Sequence, residues 1–257
     1  MAVFVSASDE SAGKNRRDQF LFAGWIASER DWSEIFAPAW QRLVLDGPPQ
    51  IPCLHMTDLR SRQWRDDWGL SVEDADHRID ESIAVLSKAN FIYPIGVTVS
   101  GEDICDKLAT AKVKSRTGGS GNFEPDYLCF LGYAMMALNY VAEEHPECEK
   151  LDFIVEQNGK ITDYIRDFHS GLSTLLKGTG RPDLSELVGE LIPAGKERIP
   201  VQAADVLCWH TARAKQRSSM DANDIRRYEL LSRKPGRKES ITTDLVELLA
   251  DSLLRPE

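Results

Sequence analysis

Acidic side chains at three distant points of the chain are of a type that could act together. Asp9 follows an apolar segment, Glu156 ends a second apolar segment, and Asp205 lies among apolar residues of a predicted helix. Burying an uncompensated carboxylate is costly, so each acid requires a cleft, a partner or a cation. Three converging carboxylates repel one another unless a hard cation such as Mg²⁺ or Mn²⁺ neutralises them. We therefore predict that Asp9, Glu156 and Asp205 are both metal ligands and catalytic residues, in a site suited to metal-assisted phosphodiester hydrolysis.

Three further polar side chains are accessory candidates. Glu10 adjoins Asp9, although a continuing strand would turn it to the opposite face of the sheet. His55 could be a metal ligand, a general acid or base, or a hydrogen-bond donor to a substrate. Gln202 and Asp205 are three residues apart, so they share one face of a helix and could address the same cleft. We predict His55 as catalytic, and Glu10 and Gln202 as cofactor-binding.

Each of these residues also has an ordinary structural interpretation. Asp9 could belong to a turn, and Glu156 could flank a turn. Asp205 could be paired with an arginine, and His55 could be bonded to the backbone. The sequence leaves these alternatives open. It contains neither a phosphate-binding G-x-x-x-x-G-K-[ST] loop nor the G-x-S-x-G pattern of a nucleophile elbow, so it supports neither chemistry.

Alternating strands and helices must position these side chains. The pattern predicts strands over 3–7, 20–27, 91–99, 151–156 and 187–192, helices from Asp31 and over 71–89, 102–111, 124–144, 161–176, 201–215 and 240–254, and loops over 13–19, 50–70 and 112–122. Asp31 and Ser71 are predicted N-caps, and Asp74 stands at the capping-box position after Ser71. An initial hairpin followed by this alternation predicts an α/β fold with a mixed sheet flanked by helices.

Composition is typical of a soluble globular protein. The chain has 257 residues, of which 42% are hydrophobic and 28% charged. We predict a single domain over 1–257, with a core over about 3–215 and a basic segment and C-terminal helix over 216–257. No apolar run approaches the ~18 residues that span a bilayer, so no membrane partner is expected. The five cysteines form no C-x-x-C pair, and no secretory leader is recognised, so we expect reduced thiols and a cytoplasmic location.

The charge distribution bears on nucleic-acid binding. The net charge is -10, which disfavours extensive wrapping of nucleic acid. Between Arg213 and Lys238, however, nine Lys/Arg stand against three acids. This basic segment could meet phosphates, or it could be a solvated and partly mobile surface segment.

The order of the motifs resembles that of the domain-of-unknown-function family numbered 3800. The resemblance is carried by the triplet Asp9-Glu10-Ser11, by Phe20-Leu21-Phe22-Ala23-Gly24-Trp25, by Leu54-His55, by Glu156 at the end of a later strand, and by Gln202-x-Ala204-Asp205-Val206-Leu207. These motifs span about residues 3 to 215. The chain carries Glu156 where many relatives are expected to carry an aspartate.

That family is similar to ribonuclease-H-like proteins. The resemblance implies an α/β, ribonuclease-H-like fold: a mixed five-stranded sheet flanked by helices, with helical insertions. It also implies that acids from the first strand, a later strand and a late helix gather around Mg²⁺ or Mn²⁺. Residue by residue these are Asp9, Glu156 and Asp205, with accessory candidates Glu10, His55 and Gln202.

The implied function is that of a divalent-metal-dependent nuclease or a related phosphodiester hydrolase, with nucleic acid as the expected partner. The alternative is a non-catalytic nucleic-acid- or protein-binding module on the same fold, within a defence or mobile-element system. The sequence leaves open the substrate, the number of metal ions, any protein partner and whether the chain forms a homo-oligomer.

Overall fold

The computed structural model describes residues 2–12, 19–102, 112–114, 120–122, 125–215 and 220–241. The strands are β1 (Ala2–Ala12), β2 (Gln19–Ser28), β3 (Tyr93–Ser100), β4 (Lys112–Lys114), β5 (Ser120–Asn122), β6 (Cys148–Glu156), β7 (Val188–Ala194) and β8 (Arg237–Ile241). The helices are α1 (consecutive turns Asp31–Phe36, Ala37–Trp40 and Gln41–Leu45), α2 (Met56–Arg60), α3 (Arg62–Trp68), α4 (Val72–Lys88), α5 (Pro125–Glu144), α6 (Gly159–Gly178), α7 (Pro182–Leu187), α8 (Ile199–Lys215) and α9 (Ala222–Ser232). Within the described ranges, no helix is long and apolar enough to cross a bilayer.

A mixed six-stranded sheet organises the molecule, with the strand order β7-β6-β1-β2-β3-β8. The strands β1, β2 and β3 form an antiparallel meander, whereas β6 is parallel to β1, β7 is parallel to β6, and β8 is parallel to β3. The predicted α/β class with a mixed sheet and flanking helices is therefore confirmed, with six strands where the resemblance implied five. Because β1, β6 and β7 are parallel, their carboxyl ends lie at one edge of the sheet.

Helices cover both faces of the sheet. One face packs against α5, α6 and α7 in a cluster that contains Phe153, and the other packs against α1, α4 and α8 in a cluster that contains Trp40. Side chains alternate along a strand, and Val5 and Ala7 of β1 belong to the α8 side. Asp9 follows them in the same alternation, so the first candidate acid lies on the face that α8 covers.

The first strand is longer than the sequence predicts. It was expected to end at residue 7, but β1 continues to Ala12, paired with β2 as far as the partners Ala12 and Phe20. Asp9 and Glu10 are therefore strand residues, and the alternative interpretation of Asp9 as a turn residue is wrong. Pairing with a neighbouring strand satisfies the backbone of this polar segment and outweighs its local turn preference.

The prediction of a loop over 50–70 is confirmed for residues 50–55 and is wrong over 56–68, where α2 and α3 form. The Ser61 side chain accepts a hydrogen bond from the Trp64 amide and caps α3. Gly69, with φ of 67°, ends α3 in the left-handed conformation that glycine adopts without steric cost. Helices of five and seven residues are too short to show a clear hydrophobic period, so the sequence pattern does not reveal them.

Three further boundaries differ from the predictions. The segment predicted as a loop over 112–122 contains the antiparallel pair β4 and β5. Ser240, predicted to begin a C-terminal helix, lies in β8, so the main sheet extends past residue 215. The helix α8 begins at Ile199, which places Pro200 in its first turn, where proline is well tolerated. Residues 13–18, 103–111 and 242–257, which carry other predicted loops and helices, lie outside the described residues.

The two predicted N-caps have different outcomes. Ser71 caps α4, and its side chain and that of Asp74 form the reciprocal hydrogen bonds of a capping box, as predicted. Asp31 is not an N-cap, because the chain is already helical at Arg30. Instead the Ser28 hydroxyl donates to the Asp31 carboxylate, at 2.7 Å, and the Asp31 amide donates to the Ser28 oxygen.

Candidate metal centre

Two adjacent parallel strands bring Asp9 and Glu156 side by side. The register pairs Ser8 of β1 with Val155 of β6, so the next residue of each strand points to the same face. Asp9 is 3% exposed, Glu156 is partly buried, and their carboxyl groups are hydrogen-bonded to each other. The predicted convergence of the first-strand acid and the later-strand acid is therefore present.

The helix α8 adds Asp205 to this pair. Ala203 and Ala204 are fully buried, and the Trp25 indole N–H donates to the Ala203 carbonyl at 2.9 Å, which fixes the helix against β2. Asp205 is 6% exposed, and its Oδ2 accepts a hydrogen bond of 2.7 Å from the Met56 amide at the start of α2. The small alanine side chains allow the close approach that lets the third acid reach the sheet.

Lys196, which was not among the predicted site residues, lies among the three acids. Its Nζ is 3.1 Å from Asp9 Oδ2, 3.1 Å from Glu156 Oε1 and 3.4 Å from Asp205 Oδ1. A protonated lysine repels a metal ion and cannot bind it, so a pattern of possible metal ligands does not identify Lys196. The sequence does contain a signal that could have identified Lys196. Gly195-Lys196 lies between a predicted strand and the predicted helix that carries Asp205.

Burial and neighbouring charges shift the pKa values of Asp9, Glu156 and Lys196. Burial raises the pKa of Asp9 to about 6. Burial and the hydrogen bond with Asp9 raise the pKa of Glu156 to about 7. Burial lowers the pKa of Lys196, but the three carboxylates outweigh this effect, so the pKa is above its ordinary value and the ammonium stays protonated. The Asp9–Glu156 pair therefore retains a proton close to neutral pH.

Glu10 also reaches the cluster. Asp9, Glu10 and Glu156 each offer one carboxylate oxygen, and these three oxygens lie within 4.8 Å of one another. Strand β6 pairs with β1 only as far as Ser8, so the Glu10 side chain lies beyond the end of that ladder. Its Oε1 accepts a hydrogen bond of 2.6 Å from the Asn158 side chain. Glu10 is thus an additional oxygen donor at the same edge of the sheet.

Gln202 lies behind the carboxylates rather than in an open cleft. It is 1% exposed, and its Oε1 accepts hydrogen bonds from the Trp40 indole at 2.8 Å and the Leu54 amide at 3.1 Å. Its Nε2 donates to the Lys196 carbonyl at 2.7 Å. Gln202 therefore connects α1, the segment before α2 and the loop that carries Lys196.

The structure places His55 beside the centre. Its Nδ1 is 3.0 Å from Asp58 Oδ2, and its side chain is 29% exposed. It directly precedes Met56, whose amide holds Asp205. His55 thus pairs with Asp58 of the helix that follows it, on the segment that positions Asp205.

The basic segment is largely tied into the fold where it is described. Arg213 pairs with the buried Asp224, and Arg227, which is 1% exposed, pairs with Asp76 and Asp80 of α4. Residues 222–232 form α9, with Asp224, Arg227 and Leu231 buried, so this part of the basic segment is a surface helix packed against the fold.

One aromatic and cationic surface adjoins the carboxylates. The Arg60 and Arg213 guanidinium carbons lie 5.5 Å and 4.5 Å from the ring centroid of Trp209. Both arginine side chains are about one-third exposed, at 32% and 35%. On α8, Trp209 follows Asp205 by one turn and Arg213 follows by about two, so these residues share one face of the helix. We call Arg60, Trp209 and Arg213 the guanidinium–tryptophan surface.

Comparison of the chain with protein-family models found no matching family, and comparison with curated proteins found no match. The family resemblance described from the motifs therefore stays a prediction. The geometry of the centre itself is the basis for assigning a function.

Proposed function

We propose that the protein is a divalent-metal-dependent nuclease or a related phosphodiester hydrolase. The observation that carries the proposal is the convergence of Asp9, Glu156 and Asp205 on a single cationic position at the carboxyl edge of the sheet. An all-oxygen set of carboxylate donors is the set that Mg²⁺ and Mn²⁺ prefer.

The residues present fit a divalent ion. Three carboxylates, those of Asp9, Glu156 and Asp205, surround one ammonium group, so the cluster keeps excess negative charge. The Glu10 carboxylate, which lies near those of Asp9 and Glu156, adds to this charge. The raised pKa of Asp9 and that of Glu156 show that burial penalises this charge even beside Lys196. Asp9, Glu156 and Asp205 would hold the metal, with Glu10 as an additional donor. When bound, such an ion lowers the pKa of water and stabilises the leaving oxygen of a phosphodiester.

The position of the acids in the fold also supports the proposal. They stand on the first strand, on a later parallel strand and on a late helix, as the ribonuclease-H-like resemblance implies. The strands β3-β2-β1-β6-β7 supply the five-stranded mixed sheet of that expectation, and β8 extends its edge.

The guanidinium–tryptophan surface favours a nucleic acid as the substrate. Guanidinium groups bind phosphate oxygens with charge-assisted hydrogen bonds, and an indole ring stacks on bases of any sequence. Trp209 and Arg213 of this surface lie on the same helix as Asp205, so a nucleic-acid strand bound there would extend toward the carboxylates. With a net charge of -10, the protein would make a few local phosphate contacts rather than wrap a long duplex.

The first test is cleavage of single-stranded, duplex and hybrid nucleic acids by the purified protein with Mg²⁺ or Mn²⁺. Asp9→Asn and Asp205→Asn remove ligand charge without removing volume. Each should lower the rate more than about 100-fold, since loss of groups that only orient metal ligands already costs 10–100-fold. Asp183→Asn, which alters an exposed ion pair with Arg181, is the matched control and should cleave like the wild type. Cleavage that survives both substitutions in the centre would contradict the proposal.

A second candidate function is a non-catalytic nucleic-acid- or protein-binding module. The observation that favours it is Lys196, because a buried ammonium already balances part of the charge that a metal would neutralise. Calorimetric titration with Mn²⁺ separates the two candidates. A folded protein with no measurable Mn²⁺ affinity supports the module, and strong binding counts against it.

A further inference from the structure

We propose that Lys196 is a built-in cation that occupies the metal position in the metal-free protein and leaves it when a divalent ion binds. The lysine-bound and metal-bound centres are then mutually exclusive states. This inference rests on the proposed function, because it assumes that the carboxylates bind a metal. It adds a residue that controls when they do so.

The exclusion follows from the distances. Nζ lies 3.1–3.4 Å from one oxygen of each of Asp9, Glu156 and Asp205. A Mg²⁺ or Mn²⁺ ion bound to the same oxygens would sit about 2.0–2.2 Å from each of them, in nearly the same place as Nζ. Two cations that close in a buried site repel strongly. The ammonium must therefore move before the ion takes its place.

The chain around Lys196 allows such a movement without local unfolding. The Lys196 carbonyl is held by Gln202 Nε2 at 2.7 Å, and the Gly195 amide donates to Glu197 Oε1 at 3.0 Å. The Arg198 amide donates to the Gly195 carbonyl at 3.1 Å, which closes the turn. The side chain of Lys196 is 12% exposed, so it borders solvent at one side. A flexible four-carbon stem on an anchored backbone can swing outward while the turn stays in place.

Competition of this kind has a measurable consequence for metal affinity. The apparent dissociation constant is the intrinsic constant divided by the fraction of protein in the competent state. If the lysine-bound state predominates, the competent fraction is small. The apparent dissociation constant for the metal is then larger than the intrinsic constant by the reciprocal of that fraction. The lysine neutralises part of the carboxylate charge in the absence of metal and sets a threshold metal concentration for binding.

The first experiment uses the wild-type protein, so it does not depend on a variant that folds. An amine-acetylating reagent is applied at fixed pH with and without Mn²⁺, and the modified lysines are quantified by mass spectrometry. Lys150, which is exposed and outside the centre, serves as the internal control. Acetylation of Lys196 should be slow without metal and severalfold faster with Mn²⁺, while that of Lys150 stays constant.

The second experiment measures Mn²⁺ affinity of Lys196→Met by calorimetric titration. Removing the internal competitor should tighten binding about tenfold or more, and the metal-free variant should melt at a lower temperature than the wild type. Mn²⁺ should then raise the melting temperature of this variant more than that of the wild type. Lys150→Met is the control and should bind Mn²⁺ as the wild type does.

The outcomes separate this inference from the proposed function. Mn²⁺ binding by the wild type that leaves Lys196 protected, or binding by Lys196→Met that is no tighter, overturns the inference and leaves the metal centre standing. If neither protein binds Mn²⁺, both fail together. If only Lys196→Met binds Mn²⁺, the competition is supported, and a metal-dependent activity of the native chain is contradicted.

Discussion

Burial destabilises the charged forms of the hydrogen-bonded pair Asp9 and Glu156. Each group has a raised pKa because its charged form has lost solvent. Lys196 offsets only part of this effect, since one ammonium is shared among three acids. The charge of this pair should therefore couple the stability of the protein to pH.

Glu156→Gln should stabilise the metal-free protein increasingly, relative to the wild type, between pH 4.5 and pH 7. A carboxyl group with a raised folded-state pKa adds stability while protonated and loses it as pH rises through that value, here about 7. Glutamine cannot ionise, so the variant does not lose this stability. Its unfolding free energy at pH 7 should exceed that of the wild type, relative to the difference at pH 4.5, by on the order of 1–2 kcal/mol. Urea denaturation in EDTA at several pH values measures the difference.

Comparison with the wild type at each pH is needed because other groups titrate in the same range. Burial lowers the pKa of His210 to about 3, so that residue makes the protein less stable as pH falls below about 6.5. This opposite trend is common to both proteins and cancels in the difference. Asp183→Asn should follow the wild-type profile, and a Glu156→Gln advantage that is independent of pH would refute this expectation.

The position of Asp9 depends on how closely β1 and β2 pack against α5. Gly24 of β2 is paired with Ser8, and a Cβ there would overlap the Ala7 carbonyl and lie 2.7 Å from Tyr133 Oη. Tyr133 also contacts Ser6, with 2.7 Å between their hydroxyl oxygens. A side chain at Gly24 would thus displace β1, and Asp9 with it, relative to α8.

Gly24→Ala should therefore destabilise the protein by about 1–3 kcal/mol and weaken Mn²⁺ binding as well. Gly171→Ala is the matched control. Gly171 is exposed on α6, and a Cβ added there would meet no neighbouring atom within 4 Å, so alanine should stabilise the helix by about 0.5–1 kcal/mol. Urea denaturation and Mn²⁺ titration check both. A Gly24→Ala protein as stable as the wild type would show that β1 and α5 can separate at no cost.

Opposite charges are compensated locally across the molecule, even though the net charge is -10. Arg227 joins α9 to α4 through Asp76 and Asp80, with N–O distances of 3.0 Å and 2.8 Å. Asp224, which is 1% exposed, adds a third acid to this network. The network explains why a segment rich in lysine and arginine is part of the packed structure.

Arg227→Met should cost about 1–3 kcal/mol of unfolding free energy, because it removes a buried guanidinium that hydrogen-bonds to Asp80 and Asp76. Arg226→Met is the matched control, since Arg226 is exposed and its pair with Asp80 should contribute less than about 1 kcal/mol. Thermal unfolding of the two variants measures this contrast. Equal effects would mean that the network carries no more energy than a surface ion pair.

Several features followed from the sequence alone because their causes are local. Strand and helix periodicity predicted the alternation of elements and the mixed sheet, and Ser71 with Asp74 predicted the start of α4. The three acids were identifiable because a carboxylate in an apolar setting must be compensated. That rule depends on residue type and neighbours, not on the course of the chain.

Only the tertiary structure decided how those acids are compensated. Asp9 and Lys196 are 187 positions apart, and their contact depends on the register of β1 with β6 and on the path from β7 to α8. Pairing with β2 extended β1 through Asp9, and contacts with Trp40 and Leu54 made Gln202 a buried residue behind the centre. Local preferences cannot specify such contacts, because strand register and helix packing are set by burial across the whole core.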